Sequence, residues 1–120
     1  MSARERTADK MSRRVIHIFY PTTGNVDVRV VDCESDHASL DRLLRPLLDG
    51  ADFEHVLVNW NGTRADMFVG EDSSLRDLPV NDKATRIYRA AHIERYPRLR
   101  PDCLPAVHGV AVLFEEIIWR

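Results

Sequence analysis

Five leucines, Leu40, Leu43, Leu44, Leu47 and Leu48, recur at i, i+3, i+4, i+7 and i+8, a spacing that gathers them on one stripe of an α-helix. A helix with a single apolar stripe must bury it, so the rest of the chain has to supply a complementary apolar layer. Asp36 or Ser39 stands where a cap belongs, because a short side-chain oxygen can accept from a free amide of the first turn. Pro46 falls inside the stripe. It lacks a backbone donor and its ring clashes one turn back, so the helix is expected to kink or restart there, with Gly50 ending it. The stripe reads as core rather than as a groove for a partner.

The complementary layer is legible as strands. Val15 to Tyr20 is rich in β-branched and aromatic residues, apolar on both faces apart from His17, which suits a central strand. Pro21 to Asn25 is turn chemistry, and Val26, Val28 and Val30 then alternate with Asp27, Arg29 and Val31, the pattern of a half-exposed strand paired to the first as a hairpin. Phe53 to Trp60 and Thr63 to Val69 form a second hairpin through Asn61-Gly62, the pair that best tolerates the positive φ angles of a type I′ turn. Asn61-Gly62-Thr63 also matches a glycosylation acceptor, a match that carries no weight without a signal peptide. Val107 to Phe114 returns to the strand pattern. The fold expected is α+β: an antiparallel sheet of about five strands, the leucine helix packed on one face, and a second short helix at the edge.

That second helix follows Leu78-Pro79-Val80-Asn81. Asn81 can cap it and Asp82 suits the positive helix end, while Ala84, Ile87, Tyr88 and Ala91 make the apolar stripe and the helix ends near Ala91. Tyr96 to Pro105 holds three prolines and must be a loop or an extended crossover. Ile117, Ile118 and Trp119 keep the tail apolar, so it should dock on the chain's own core or on a partner, a homodimer included; Ile117 and Trp119 are the candidate interface residues. Residues 1–14 are polar and charged and read as a disordered arm, with 15–120 as a single domain; Met11 is an alternative start.

Composition narrows the function classes. A net charge of -2 exerts no whole-chain pull toward nucleic acid or an acidic membrane. No apolar run reaches the roughly 18 residues of a membrane span, and no signal-peptide core opens the chain, so a cytoplasmic protein without a membrane partner is expected. Cys33 and Cys103 lie far apart and form no C-x-x-C, which fits reduced thiols. The histidines His17, His37, His55, His92 and His108 show no ligand spacing, so neither a metal nor a cofactor is expected; His17 and His55 read as core-edge residues bonded to neighbours. Phosphate-binding glycine loops, G-x-S-x-G and H-E-x-x-H are absent. A thiol nucleophile, Cys33 or Cys103 beside His37 or His108, would need a base to activate it, and the plainer reading is two structural thiols. No catalytic residue is assigned.

One local charge asymmetry stands out. Arg86, Arg89, Arg95, Arg98 and Arg100 outnumber Glu94 and Asp102 and are interleaved with Tyr88 and Tyr96. Arginine beside aromatics suits single-stranded nucleic acid or an acidic protein surface. The plainer reading is a solvated face whose arginines pair with Asp32, Glu34 and Asp36. If the segment binds, Arg86, Arg89, Arg95, Tyr96, Arg98 and Arg100 are the residues that do so.

Met67 to Ser74, followed by Leu78-Pro79-Val80-Asn81, Ala84-Thr85 and Tyr88, resembles a family of small phage and plasmid proteins, domain of unknown function 3846. The later strand around Gly109 looks like the family's glycine-started strand, and the likeness spans roughly residues 40–114, with Pro46 and the Pro- and Arg-rich insert from Glu94 to Pro105 as departures. Leu78, Pro79, Asn81, Ala84, Thr85 and Gly109 carry the motif. The resemblance implies a mobile-element origin and assigns no reaction. It favours a small non-enzymatic accessory protein that binds a host protein, such as an inhibitor of a defence system or of transcription. A nucleic-acid-binding module using Arg86 to Arg100, and a small-ligand or nucleotide-binding protein or enzyme, are the alternatives.

Overall fold

The computed structural model describes residues 12–73 and 76–119. Five strands, β1 (Arg13–Phe19), β2 (Val26–Asp32), β3 (Phe53–Trp60), β4 (Thr63–Gly70) and β5 (Ala111–Phe114), form one antiparallel sheet in the order β2-β1-β5-β4-β3. Among the described residues two helices, α1 (His37–Leu47) and α2 (Asp82–Arg95), complete the α+β fold, with one 3₁₀ turn at Pro101–Cys103. The last strand in the chain thus lies between the two hairpins, pairing with β1 on one side and β4 on the other.

Alternation along the strands divides the core into two layers. Ile16, Ile18, Phe68, Val112 and Phe114 face α1, whose Leu40, Leu44 and Leu48 are buried against them. Phe19, Met67, Ala111, Leu113 and Val58 face the opposite side, where Ala84, Ile87, Tyr88 and Ala91 of α2 pack. Both predicted helix stripes therefore meet the sheet, though on opposite faces. Burying side chains of this size contributes roughly 1.5–3 kcal/mol each, so these two layers hold the sheet together.

Several boundaries differ from expectation for local reasons. Asp36 is the cap of α1, accepting from the Ser39 amide at 2.8 Å. Pro46 does not restart the helix: it sits in the final turn, and the helix ends one residue later, with Asp49 and Gly50 at positive φ. α2 runs a turn beyond Ala91 and stops at Tyr96, the residue before Pro97, which the proline ring pushes away from helical backbone. β5 begins only at Ala111, because Gly109 upstream has φ +76° and breaks the strand. Asn61 and Gly62 take φ values of 50° and 81°, the expected I′ signature.

Of the arm expected over residues 1–14, residues 1–11 lie outside the described residues; Arg13 and Arg14 already belong to β1, and Arg14 pairs with Glu116 at 2.7 Å. The tail docks on its own core: Ile118 is buried, while Ile117 and Trp119 remain 39% and 36% exposed.

β2 alternates as expected, and the structure shows which of its faces is covered. Val26, Val28 and Val30 are exposed on one face, whereas Val31, on the other face with Asp27 and Arg29, packs against the α1 layer. The cause lies in helix placement. α2 covers its face of the sheet beside β3, at the far end from β2, and leaves the valine face of β2 open.

Candidate functional site

The motif Leu78-Pro79-x-Asn81-x-x-Ala84-Thr85 is the joint that sets α2 on the sheet. The Asn81 side-chain carbonyl caps the helix by accepting from the Ala84 amide at 3.2 Å. Its Nδ2 donates to the carbonyls of Phe19, at the end of β1, and of Gly109, at 2.8 and 2.9 Å. The Asn81 amide donates to Val107 O at 2.7 Å, and the Val107 amide in turn donates to Thr85 Oγ1 at 2.9 Å. Gly109 N donates to Pro79 O, and His108 Nδ1 donates to Leu78 O, both at 2.8 Å. A Cβ on Gly109 would meet Leu78 Cδ1 at 3.0 Å, and its backbone is left-handed, so glycine is required twice over. These residues are positioning residues for α2, and their backbone and side-chain polar groups are spent inside the fold.

The helix so anchored delivers its C-terminal end to the surface beside β3 and β4. Nine residues separate Arg86 from Arg95, about two and a half turns, which sets them on opposite sides of α2. Arg95 turns toward the sheet edge and, with Leu57, Asn59, Arg64, Ala91, His92 and Glu94, lines a cleft of about 170 Å³. Asn59 Nδ2 donates to the Glu94 carboxylate across it. A small-molecule site usually takes about 300 Å³ or more, so this cleft suits one side chain of a partner rather than a bound metabolite.

Beyond Arg95 the chain turns sharply, with Leu99 N donating to Tyr96 O and Cys103 N to Arg100 O, each at 3.0 Å. Tyr96 is 52% and Leu99 40% exposed. Arg95, Arg98 and Arg100 are exposed beside them. Arg100 stands 3.8 Å from Asp102; among the described residues Arg86, Arg95 and Arg98 make no side-chain hydrogen bond or ion pair. The expected pairing with Asp32, Glu34 and Asp36 does not form, since those acids lie at the end of β2 and just after it, at one end of the sheet, whereas α2 packs beside β3 at the other.

The predicted binding residues therefore separate. Arg95, Tyr96, Arg98 and Arg100 come together, Arg86 points away, and Arg89 is half-buried, donating to Leu104 O at 3.0 Å as a tether for the proline-rich loop. Arg64 and Leu99 join the group unforeseen. Arg64 comes from β4, and nothing in its neighbourhood in sequence connects it to the helix end.

A second polar cluster lies on the α1 side of the sheet. Asp66 is fully buried; its Oδ1 is 2.6 Å from His55 Nε2, and its Oδ2 accepts from the amides of Ile118 and Trp119 at 2.7 Å each. His55 stacks on Trp119, with ring centroids 5.7 Å apart, and Phe53 meets the same indole edge-on. Both carboxylate oxygens are occupied by groups that hold the tail, which makes Asp66 a clasp and leaves it no free lone pair aimed at solvent. An aspartate inside the apolar run Ala65 to Val69 was the sequence signal for it. His17 likewise pairs with Glu115, at 2.6 Å.

Cys33 offers no activated nucleophile, and Cys103 lies exposed in the proline-rich loop. Cys33 is buried and donates to Glu34 O at 3.3 Å, and burial pushes its thiol up, toward the protonated form. Burial likewise holds Tyr88 in its phenol form, with the Glu54 charge adding to the effect. Among the described residues no cluster of His, Cys, Asp and Glu could hold a metal ion, and no helix is long and apolar enough to cross a membrane. No protein-family model, curated protein or solved structure matches this chain.

Proposed function

We propose that this chain is a non-enzymatic accessory protein of a phage or other mobile element, and that it binds an acidic surface of a host protein through the Arg95 to Arg100 segment. The observation that carries the reading is the exposed Arg95 and Arg98, which pair with none of the described residues, beside the exposed Tyr96 and Leu99 and an Arg100 held only by the exposed Asp102 at 3.8 Å. Arginine and tyrosine are the side chains that contribute most at protein interfaces, because each combines a large contact face with directional donors. Each guanidinium gives up side-chain freedom when it meets a carboxylate, and its planar fork offsets that cost by matching the carboxylate in two hydrogen bonds. The resemblance to domain of unknown function 3846 supports the mobile-element origin, and a host factor, such as one of defence or transcription, is the corresponding partner.

Glu94 and Asp102 flank Arg95 to Arg100 on either side, which leaves a short basic spot rather than the long positive track that a nucleic-acid backbone needs. The test is affinity capture from a bacterial host lysate, with and without nuclease, comparing the wild type with a chain carrying Arg95→Glu, Arg98→Glu and Arg100→Glu. An acidic protein retained in stoichiometric amount after nuclease treatment, and lost on charge reversal, supports the reading. Retention of nucleic acid alone overturns it, and so does a protein partner indifferent to the three substitutions.

A further inference from the structure

β2 ends the sheet, and among the described residues its outer edge pairs with no strand. Edge strands in monomers are blunted by short length, by charged side chains, lysine above all, by proline, by a bulge or by a covering element, because a row of free amides and carbonyls invites another strand. Val26–Asp32 contains neither lysine nor proline, it pairs with β1 residue for residue, without a bulge, and the charges at its middle, Asp27 and Arg29, are of opposite sign and neutralise each other. β3, the other end strand, has α2 packed beside it.

The phase of the free edge follows from the β1 pairing. Tyr20 N donates to Asn25 O, and Cys33 N donates to Ser12 O. In an antiparallel ladder such hydrogen-bonded pairs recur every second residue. Asp27, Arg29 and Val31 therefore aim their backbone groups at β1, and Val26, Val28 and Val30 aim theirs outward. The outward residues are the exposed valines, 38%, 56% and 68% accessible. The residues between them, Asp27 and Arg29, carry opposite charges on the other face and touch each other at 2.7 Å.

We propose that two copies of this chain join through their β2 strands, antiparallel about a two-fold axis at Val28, into one continuous sheet. In that register Val28 meets Val28 of the second copy, Val26 meets Val30, and Asp27 meets Arg29. Backbone donors face acceptors at each outward pair, β-branched side chains neighbour one another on one face, and unlike charges stand opposite on the other. Moving the axis to Asp27 sets aspartate against aspartate, and moving it to Arg29 sets arginine against arginine. An axis between residues would oppose an outward-facing residue to one already bonded to β1. The strand is complementary to itself in one register, and the second copy is the occupant that its charge order selects.

The experiment is sedimentation of the full chain over a wide concentration range, for the wild type, Asp27→Arg, Arg29→Asp and the double exchange. Far-UV circular dichroism verifies that each variant is folded, as expected for substitutions on an exposed strand. A wild-type dimer is expected. Each single reversal places like charges opposite at both symmetric pairs and weakens the dimer roughly tenfold or more, while the double exchange restores it. Mixing the two single variants yields a heterodimer, since a strand with two arginines then faces one with two aspartates. A wild type that stays monomeric overturns the proposal, as does a dimer indifferent to Asp27→Arg and Arg29→Asp but dissociated by changes at Ile117 and Trp119.

Discussion

The side-chain amide of Asn81 donates to the carbonyl of Phe19 at 2.8 Å, across 62 residues of chain, while its carbonyl caps α2. One buried side chain therefore joins the second helix to the first strand. Asn81→Ala removes the cap and leaves the carbonyls of Phe19 and Gly109 without a donor, at a cost of about 3–4 kcal/mol. Asn81→Asp is the sharper test. At an exposed cap that exchange is nearly neutral, but here it replaces both N–H donors with a charged acceptor against two carbonyls, so chemical denaturation should show a loss of similar size. A neutral result would mean that the two carbonyls find other donors.

Asp66 makes the corresponding prediction for the tail. Asp66→Ala strands His55 and the amides of Ile118 and Trp119, and costs about 3 kcal/mol, since one buried and two part-buried donors lose their acceptor. Trp119 should move into water, read as a red shift of its emission in a Trp60→Phe background. Asp66→Asn keeps an acceptor for the two amides and should hold most of the tail. An unshifted emission spectrum in Asp66→Ala would show that aromatic packing alone keeps Trp119 in place.

A pH dependence follows from Asp36. The Ser39 amide, then the Ser39 hydroxyl, hold its carboxyl below the ordinary value of 3.8. A carboxyl whose folded-state pKa is lowered adds stability above its unfolded value and loses it as the pH falls through the folded one. The start of α1 should therefore loosen only in acid, below about pH 3.8. Amide exchange at Ser39, compared between the wild type and Asp36→Asn, checks this. The asparagine variant keeps a cap but carries no titrating charge, and its exchange, corrected for intrinsic rates, should be flat over that range.

Much of the fold was legible because its elements are written in local patterns. The leucine stripe of α1, the Asn61-Gly62 turn and the Ala84, Ile87, Tyr88, Ala91 stripe each depend on residues within a few positions of one another. The facing of β2 was not legible. Alternation says that Val26, Val28 and Val30 share a face, but which face is covered depends on where α1 and α2 come to rest. The same limit applies to the helix end. The excess of arginine over 86–100 could be read directly, whereas the turning of Arg86 away, the tethering of Arg89 and the approach of Arg64 depend on contacts between elements. Asn81 was visible as a cap and invisible as a bridge, because Phe19 and Gly109 lie 62 and 28 residues away.

The central place of β5 sets a timetable for biosynthesis. Residues 13–70 can emerge from a ribosome as two hairpins and a leucine helix, yet no described strand pairing joins one hairpin to the other. Nascent chains are made at roughly 5–20 residues per second, so the two halves wait several seconds with their inner edges unprotected. Only when Ala111–Phe114 slots between β1 and β4 does the sheet close. Any truncation before that strand releases two sticky half-sheets instead of a shortened protein.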